Sequence, residues 1–248
     1  MRGVNPVAKL GAAVFISVCL VLSIDWVSAG VALALELLVV AALHVPPGVF
    51  WRRTWPVWLA AVLTAFTILL YGQPAGRVYF RFLFIDVTDG SIVLAIATFL
   101  RVLAIALPAV LMFASIDPTE LADGLAQRLH LPARFVIGAL AGLRLISLFA
   151  EDWRSLQLAR RTRGIADAGR LARLAGQAFA LLVLSVRRGT ALATAMEARG
   201  FGAPGTRTWA RESVWRALDW VVLAGGLTIG SVAIAASVAT GHWNFIVG

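Results

Sequence analysis

Residues 92–114, IVLAIATFLRVLAIALPAVLMFA, form an apolar run that a single charged residue, Arg101, interrupts. A helix of about 20 mostly apolar residues is long enough to cross the hydrocarbon core of a bilayer. Four further apolar runs of this kind lie at residues 10–24, 27–45, 55–71 and 217–240. We therefore predict an all-α integral membrane protein with about five transmembrane helices.

The composition supports this prediction and excludes several functions. The chain is 60% hydrophobic and 14% charged, whereas soluble domains are about 45–50% apolar and about 25% charged. Lys9 is its only lysine and lies in the sequence NPVAKL, so the glycine-rich loop with lysine that binds ATP phosphates is absent. One cysteine and three widely separated histidines give neither a disulfide nor a metal-ligand pattern. We expect no cofactor, no metal and no nucleic-acid partner.

A charged segment separates the last predicted span from the first four. Residues 117–216 hold 15 of the 22 basic and eight of the 13 acidic residues. We therefore divide the chain into residues 1–116 with four transmembrane helices, residues 117–212 with long extramembrane helices, and residues 213–248 with the last span. The positive-inside rule places the N-terminus and the charged segment in the cytoplasm and the C-terminus outside.

Two stretches of the charged segment end alike, LARRTRG at 158–164 and TAMEARG at 194–200. We predict a helix from residue 133 to Arg163, stopped by Gly164, and a second from about Arg170 to Arg199, stopped by Gly200. Ala159 and Ala195 lie one turn before the two arginines, so each small side chain leaves space beside its arginine.

Each helix end has two interpretations. A terminal arginine followed by glycine complements the helix dipole and caps the helix. Alternatively, each arginine binds an acidic pocket on a partner, since a guanidinium is always charged and presents a fixed fork of donors to a carboxylate. Two matched copies favour the second interpretation.

The triplets Thr162-Arg163-Gly164 and Ala198-Arg199-Gly200 resemble the paired small-Arg-small signature of the transmembrane T component of energy-coupling factor (ECF) transporters, the cobalt-type and biotin-type permease family. The first triplet has threonine where alanine is common, with additional bases at Arg160 and Arg161. Other stretches agree with the family along nearly the whole chain, namely NPVAKL, DGSIVLAIATFLR, DPTELADGLAQRLHLP and AMEARGFGAP.

The resemblance implies a transmembrane bundle with long cytoplasmic coupling helices in the cell membrane of a prokaryote. Two ATP-binding-cassette (ABC) ATPase subunits would each bind one arginine triplet, with Ala159 and Ala195 beside them. A membrane-embedded substrate-binding S component would then be reoriented to release a vitamin or a metal ion inward. The protein itself would be a scaffold and not an enzyme, with ATP hydrolysis in its partners.

Glu36 and Arg101 fall near the middle of the second and fourth predicted spans. Charged groups at this depth are costly to insert. We therefore predict an ion pair between Glu36 and Arg101, which fixes the bundle or, alternatively, acts as a moving gate or contact for the S component.

Two other functions remain possible from the residues alone. Clustered arginines could bind phosphate in a membrane-embedded enzyme that acts on lipid phosphates, although no constellation of nucleophile and base is visible. The chain could also be a membrane anchor that binds partner proteins without transport.

Overall fold

The computed structural model describes residues 3–23, 25–72, 75–82, 85–164, 169–203 and 208–241. In this part of the chain, eight α-helices and one hairpin form two compact units, one of residues 1–117 with 214–248 and one of residues 118–213. The elements are α1 (Pro6–Val21), α2 (Trp26–Ala42), α3 (Pro47–Tyr71), β1 (Val78–Phe82), β2 (Ile85–Thr88), α4 (Asp89–Phe113), α5 (Pro118–Gln127), α6 (Ala133–Thr162), α7 (Arg170–Ala198) and α8 (Ala217–Ala239).

The predicted all-α membrane fold is confirmed, with a different set of long helices. Five helices are long and apolar enough to cross a membrane: α3, α4, α6, α7 from Arg173 onward, and α8. Helices α1 and α2, which the sequence predicts as spans, are apolar but contain only 16 and 17 residues. At 1.5 Å per residue each is about 25 Å long, less than the roughly 30 Å of the hydrocarbon core.

The first unit is a bundle in which α1 packs on α8, α2 on α4 and α8, and α3 on α4. Small residues bring α1 and α8 close together. A Cβ added at Gly226 would lie 2.8 Å from Cβ and 2.9 Å from Cα of Ala12, and one added at Gly230 would lie 2.8 Å from Sγ of Cys19. Such close backbone approach is typical of helix packing in membranes.

Buried polar groups join three helix ends at one side of the bundle. The fully buried carboxylate of Asp219 accepts hydrogen bonds from the backbone N–H of Asn5 at 2.5 Å and of Arg216 at 2.6 Å. The Asn5 side chain caps α1 by accepting from the Val7 N–H. Lys9 donates from Nζ to Oγ of Ser115 at 2.9 Å, just beyond α4. These bonds fix the start of α1 to the start of α8 and the end of α4.

The third span starts earlier than predicted. The predicted span begins at residue 55, whereas α3 begins at Pro47. Pro47 occupies the first helical turn, where its missing N–H costs no hydrogen bond. Pro56 is also accommodated inside the helix. A second unpredicted feature is the antiparallel hairpin of β1 and β2, which precedes α4.

In the second unit, α5 packs on the start of α6. Ala122 and Ala126 of α5 and Val136 of α6 are buried together, with Trp209 against them. Gln127 holds the returning chain through two hydrogen bonds, donating to the Arg211 carbonyl at 2.7 Å and accepting from the Ser213 N–H at 2.8 Å. Helices α6 and α7 cross as two long rods.

Candidate coupling site at two helix ends

The ends of α6 and α7 have nearly the same backbone geometry. Arg163 follows the last residue of α6 with φ −88° and ψ 2°, and Arg199 follows the last residue of α7 with φ −89° and ψ 11°. The next residues, Gly164 and Gly200, have φ of +68° and +75°. A left-handed residue directly after a helix is the usual position for glycine, because it lacks the Cβ that would clash.

Backbone hydrogen bonds close both ends. The Gly164 N–H donates to the Arg161 carbonyl at 3.2 Å. At the second end, the Gly200 N–H donates to the Glu197 backbone carbonyl at 2.9 Å, and the Phe201 N–H donates to the Met196 backbone carbonyl at 2.9 Å. Each arginine is thus held at the terminus by a closed backbone turn, as the two sequence patterns predict.

All eight residues predicted for this site are exposed. They are Ala159, Thr162, Arg163, Gly164, Ala195, Ala198, Arg199 and Gly200. No atom lies within 4 Å of a Cβ built at either glycine. Within the described chain, neither arginine makes an ion pair or a side-chain hydrogen bond. Both ends therefore present a guanidinium and a small-residue surface outward.

The two ends lie on opposite sides of the crossing between α6 and α7. The guanidinium of Arg188 forms a two-pronged ion pair with Asp152, in which Nη2 lies 3.1 Å from Oδ1. Farther along α6, Arg160 reaches the Arg173 carbonyl on the earlier part of α7, so the helices run antiparallel. Arg163 lies 11 residues after Asp152, and Arg199 lies 11 residues after Arg188. Each of these stretches corresponds to about 16 Å of helix.

A separation of this size excludes a single pocket for both arginines. Two stretches of about 16 Å in opposite directions place the ends on the order of 30 Å apart. The arrangement can therefore bind two separate acidic pockets.

Comparisons with known proteins indicate the family of the chain. The sequence profile described as cobalt transport protein, CbiQ, matches residues 1–209. The chain belongs to the CbiQ family. It is 27% identical over 193 residues to the energy-coupling factor transporter transmembrane protein EcfT of Limosilactobacillus fermentum, covering 73% of this chain and 72% of that protein. EcfT of Acidaminococcus fermentans is 28% identical over 228 residues, covering 87% of this chain and 84% of that protein. EcfT of Bacillus subtilis is 26% identical over 242 residues, covering 92% and 90%.

The CbiQ-family chain is thus a multi-pass membrane component of a transporter, of the ECF T-component kind. This assignment disfavours the lipid-phosphate enzyme that the residues alone left open. Among the described residues, no group of three or more histidine, cysteine or acidic side chains could hold a metal ion.

The structure does not bring Glu36 and Arg101 together as the sequence analysis predicts. Both carboxylate oxygens of Glu36 are buried without a hydrogen-bond partner in the described chain, and so are Nε and Nη2 of Arg101. Glu36 instead lines a cavity of about 60 Å³ with Leu107 and Pro108 of α4.

The register of α2 on α4 explains the separation. A Cβ at Gly30 would lie 3.8 Å from Leu100, which places Arg101 level with the first half of α2. Glu36 is six residues farther along α2, which corresponds to about 9 Å.

Asp25 caps α2, is almost fully buried and accepts hydrogen bonds from the Ser28 N–H at 2.6 Å and the Ser28 hydroxyl at 2.7 Å. Ser23 donates to the same carboxylate. This cluster was not predicted from the sequence, although an aspartate directly before the first turn of a helix is a recognisable cap.

Proposed function

We propose that the protein is the coupling subunit of an ECF-type ABC importer. In this role it transmits the ATP-driven motion of two ATPase subunits to an S component that binds a vitamin or a metal ion. Family membership supports a transporter component that works with other subunits. The two matched and exposed helix ends support the number of ATPase partners.

One observation carries the proposal: two equivalent arginine ends point away from opposite sides of one helix crossing. A guanidinium that enters a desolvated acidic pocket contributes about 1.5–3 kcal/mol, whereas an exposed pair contributes about 0–1 kcal/mol. The exposed glycines and alanines at both ends leave room for the walls of such a pocket. Each end therefore suits one subunit of a two-subunit motor.

Helices α6 and α7 can transmit motion because each is a continuous rod that contacts the other inside its length, at Asp152 and Arg188. Displacement of either end turns that rod about the Asp152–Arg188 contact. When two ATPases approach each other on binding ATP, they move the two ends together and change the crossing. The moving rods then reorient the bound S component.

The proposed assembly lies in a bacterial plasma membrane with the N-terminus and residues 118–213 in the cytoplasm, where ATP is available. This orientation follows from the positive-inside rule. A membrane-impermeant thiol reagent tests this orientation when it is added to intact cells that carry a single engineered cysteine. A cysteine near Gly200 must be protected in intact cells and react after the membrane is permeabilised.

Arginine substitutions test the coupling site itself. Arg163→Ala and Arg199→Ala are each expected to leave one ATPase copy bound per chain in the absence of ATP, and the double variant none. The measurement is the ATPase-to-chain ratio after affinity purification of the full complex, together with uptake of the transported solute. Arg154→Ala is the matched control, because Arg154 is an exposed arginine of α6 away from its end.

Normal ATPase content and uptake in both single variants would sink the coupling assignment. A complex that retains two ATPases and shows no uptake in any host supplied with S components would instead favour the membrane anchor.

A further inference from the structure

A basic cavity lies between α6 and α7, beside the α6 helix end and separate from it. It has a volume of about 100 Å³ and six lining residues: Gln157, Arg160, Arg161, Arg173, Leu174 and Gln177. Three of the six are arginines, and none is acidic. We propose that this cavity is a binding site for a phosphoryl group, supplied either by a phospholipid headgroup or by free phosphate.

The helix geometry makes the three arginines converge. Residues 157, 160 and 161 occupy one face of α6 at spacings of three and four, and residues 173, 174 and 177 occupy one face of α7. Arg163, two residues beyond Arg161, belongs to the exposed end and does not line the cavity. The cavity and the proposed coupling site therefore use different arginines near the end of α6.

Gln177 adds a neutral donor to the cavity. It is 2% exposed, the only buried residue among the described side chains of α7. Because it lines the cavity, an oxyanion there would accept hydrogen bonds from its amide N–H groups.

A glycine on α7 gives Arg160 its place. A Cβ built at Gly176 would lie 3.0 Å from one terminal nitrogen of Arg160 and 3.4 Å from the other. The guanidinium thus lies across α7, where it also approaches the Arg173 carbonyl at 3.5 Å. Because any side chain at residue 176 would push it aside, Gly176 positions Arg160 for the ligand.

The chemistry of the lining selects a phosphoryl group. A guanidinium group is always charged, so each arginine of the lining attracts an anion that enters the cavity. Arginine presents paired N–H donors that match the oxygens of phosphate, and hydrogen bonds between these charged groups are short and strong. The amides of Gln157 and Gln177 add neutral donors without adding charge.

Two probes test the site on the full-length chain purified in detergent. Equilibrium dialysis measures binding of radiolabelled inorganic phosphate. Native mass spectrometry measures retention of dioleoyl phosphatidylglycerol against dioleoylglycerol, which has the same tails without the phosphate. The wild-type chain is expected to bind at least one of the phosphorylated probes.

Arg160→Gln and Arg161→Gln are each expected to weaken that binding about tenfold, as the loss of one charge-assisted hydrogen bond predicts. Gly176→Ala keeps every charge and is expected to weaken it severalfold by displacing Arg160. Arg154→Gln, on the same helix outside the cavity, must bind like the wild type.

The stronger probe identifies the source of the phosphoryl group, since a lipid site prefers phosphatidylglycerol and a solute site prefers inorganic phosphate. Absence of binding by the wild type, or equal binding by the Arg160, Arg161 and Arg154 variants, overturns the proposal. If neither probe binds and Arg160→Gln loses ATPase subunits, the cavity serves an acidic segment of the partner, and the proposal is wrong as well.

Discussion

The bundle of α1–α4 and α8 buries a larger share of its side chains than the unit of α5–α7 does. In the bundle, helices approach to backbone contact, and polar groups such as Asp219 are buried with their donors. In the other unit, the described part of α6 buries only Val136 and that of α7 only Gln177. Phe179, Leu182 and Val186, which lie along one face of α7, are all more than half exposed.

The difference indicates where each unit obtains its stability. The bundle specifies its own packing through contacts inside the chain. Helices α6 and α7 expose apolar and charged groups that lipid or other subunits must cover, as exposed apolar faces of this extent generally indicate. Substitutions in the bundle should therefore change folding, and substitutions in α6 and α7 should change assembly.

The largest effect on stability is expected from Gly226→Val. A Cβ at this residue meets Cα, Cβ and the carbonyl oxygen of Ala12 within 3.0 Å, so α1 and α8 must separate. We expect a loss of about 3 kcal/mol in the free energy of unfolding, at the upper end of ordinary overpacking. Unfolding in detergent by titration with dodecyl sulfate measures it.

The neighbouring glycine is the matched control. Nothing lies within 4 Å of a Cβ built at Gly225, so Gly225→Val should change the free energy of unfolding by less than about 1 kcal/mol. Equal effects of the two substitutions would contradict the close contact between α1 and α8.

Two buried acids of the bundle are expected to differ in what they contribute to the free energy of unfolding. Asp219 accepts from two backbone N–H groups, so Asp219→Asn should lower the free energy of unfolding by about 1 kcal/mol, the difference between charged and neutral hydrogen bonds. Glu36 has no donor in the described chain, and Glu36→Gln should leave stability unchanged or raise it. The same unfolding titration compares them.

A loss of stability in Glu36→Gln that Arg101→Gln restores would contradict this expectation. It would show that Glu36 and Arg101 form the predicted ion pair in the membrane.

The sequence predicts features that depend on local chemistry. Gly164 and Gly200 stop α6 and α7 where expected because only glycine readily takes the left-handed conformation after a helix. The backbone geometry of the two arginine ends could be predicted for the same reason, since each end needs only one helix and its cap. The family resemblance rests on these same local patterns.

The sequence fails where neighbouring helices decide the outcome. The Glu36–Arg101 pair requires the register of α2 on α4, which a single chain does not reveal. Pro46 and Pro47 suggest a break before the third span, although Pro46 directly precedes α3 and the first turn of the helix tolerates Pro47. The phosphoryl cavity combines residues of two helices whose crossing is visible only in three dimensions.

The smallest loss of stability is expected at the crossing itself. The side chains of Arg188 and Asp152 are 38% and 17% exposed, so solvent screens their ion pair. Asp152→Asn should lower the free energy of unfolding by only about 0.5 kcal/mol. The effect on transport should be larger, because in the proposed mechanism this contact joins the two rods that carry motion from the ATPases.

We expect Asp152→Asn to bind both ATPases and to lower solute uptake several times more than ATP hydrolysis. The doubly exchanged variant Asp152→Arg with Arg188→Asp should recover uptake, because it restores the pair with its ends reversed. Arg187→Gln, a change at the exposed neighbour of Arg188, should leave both rates unaltered. Equal losses of uptake and ATP hydrolysis in Asp152→Asn would mean that the crossing supports assembly of the complex and does not carry its motion.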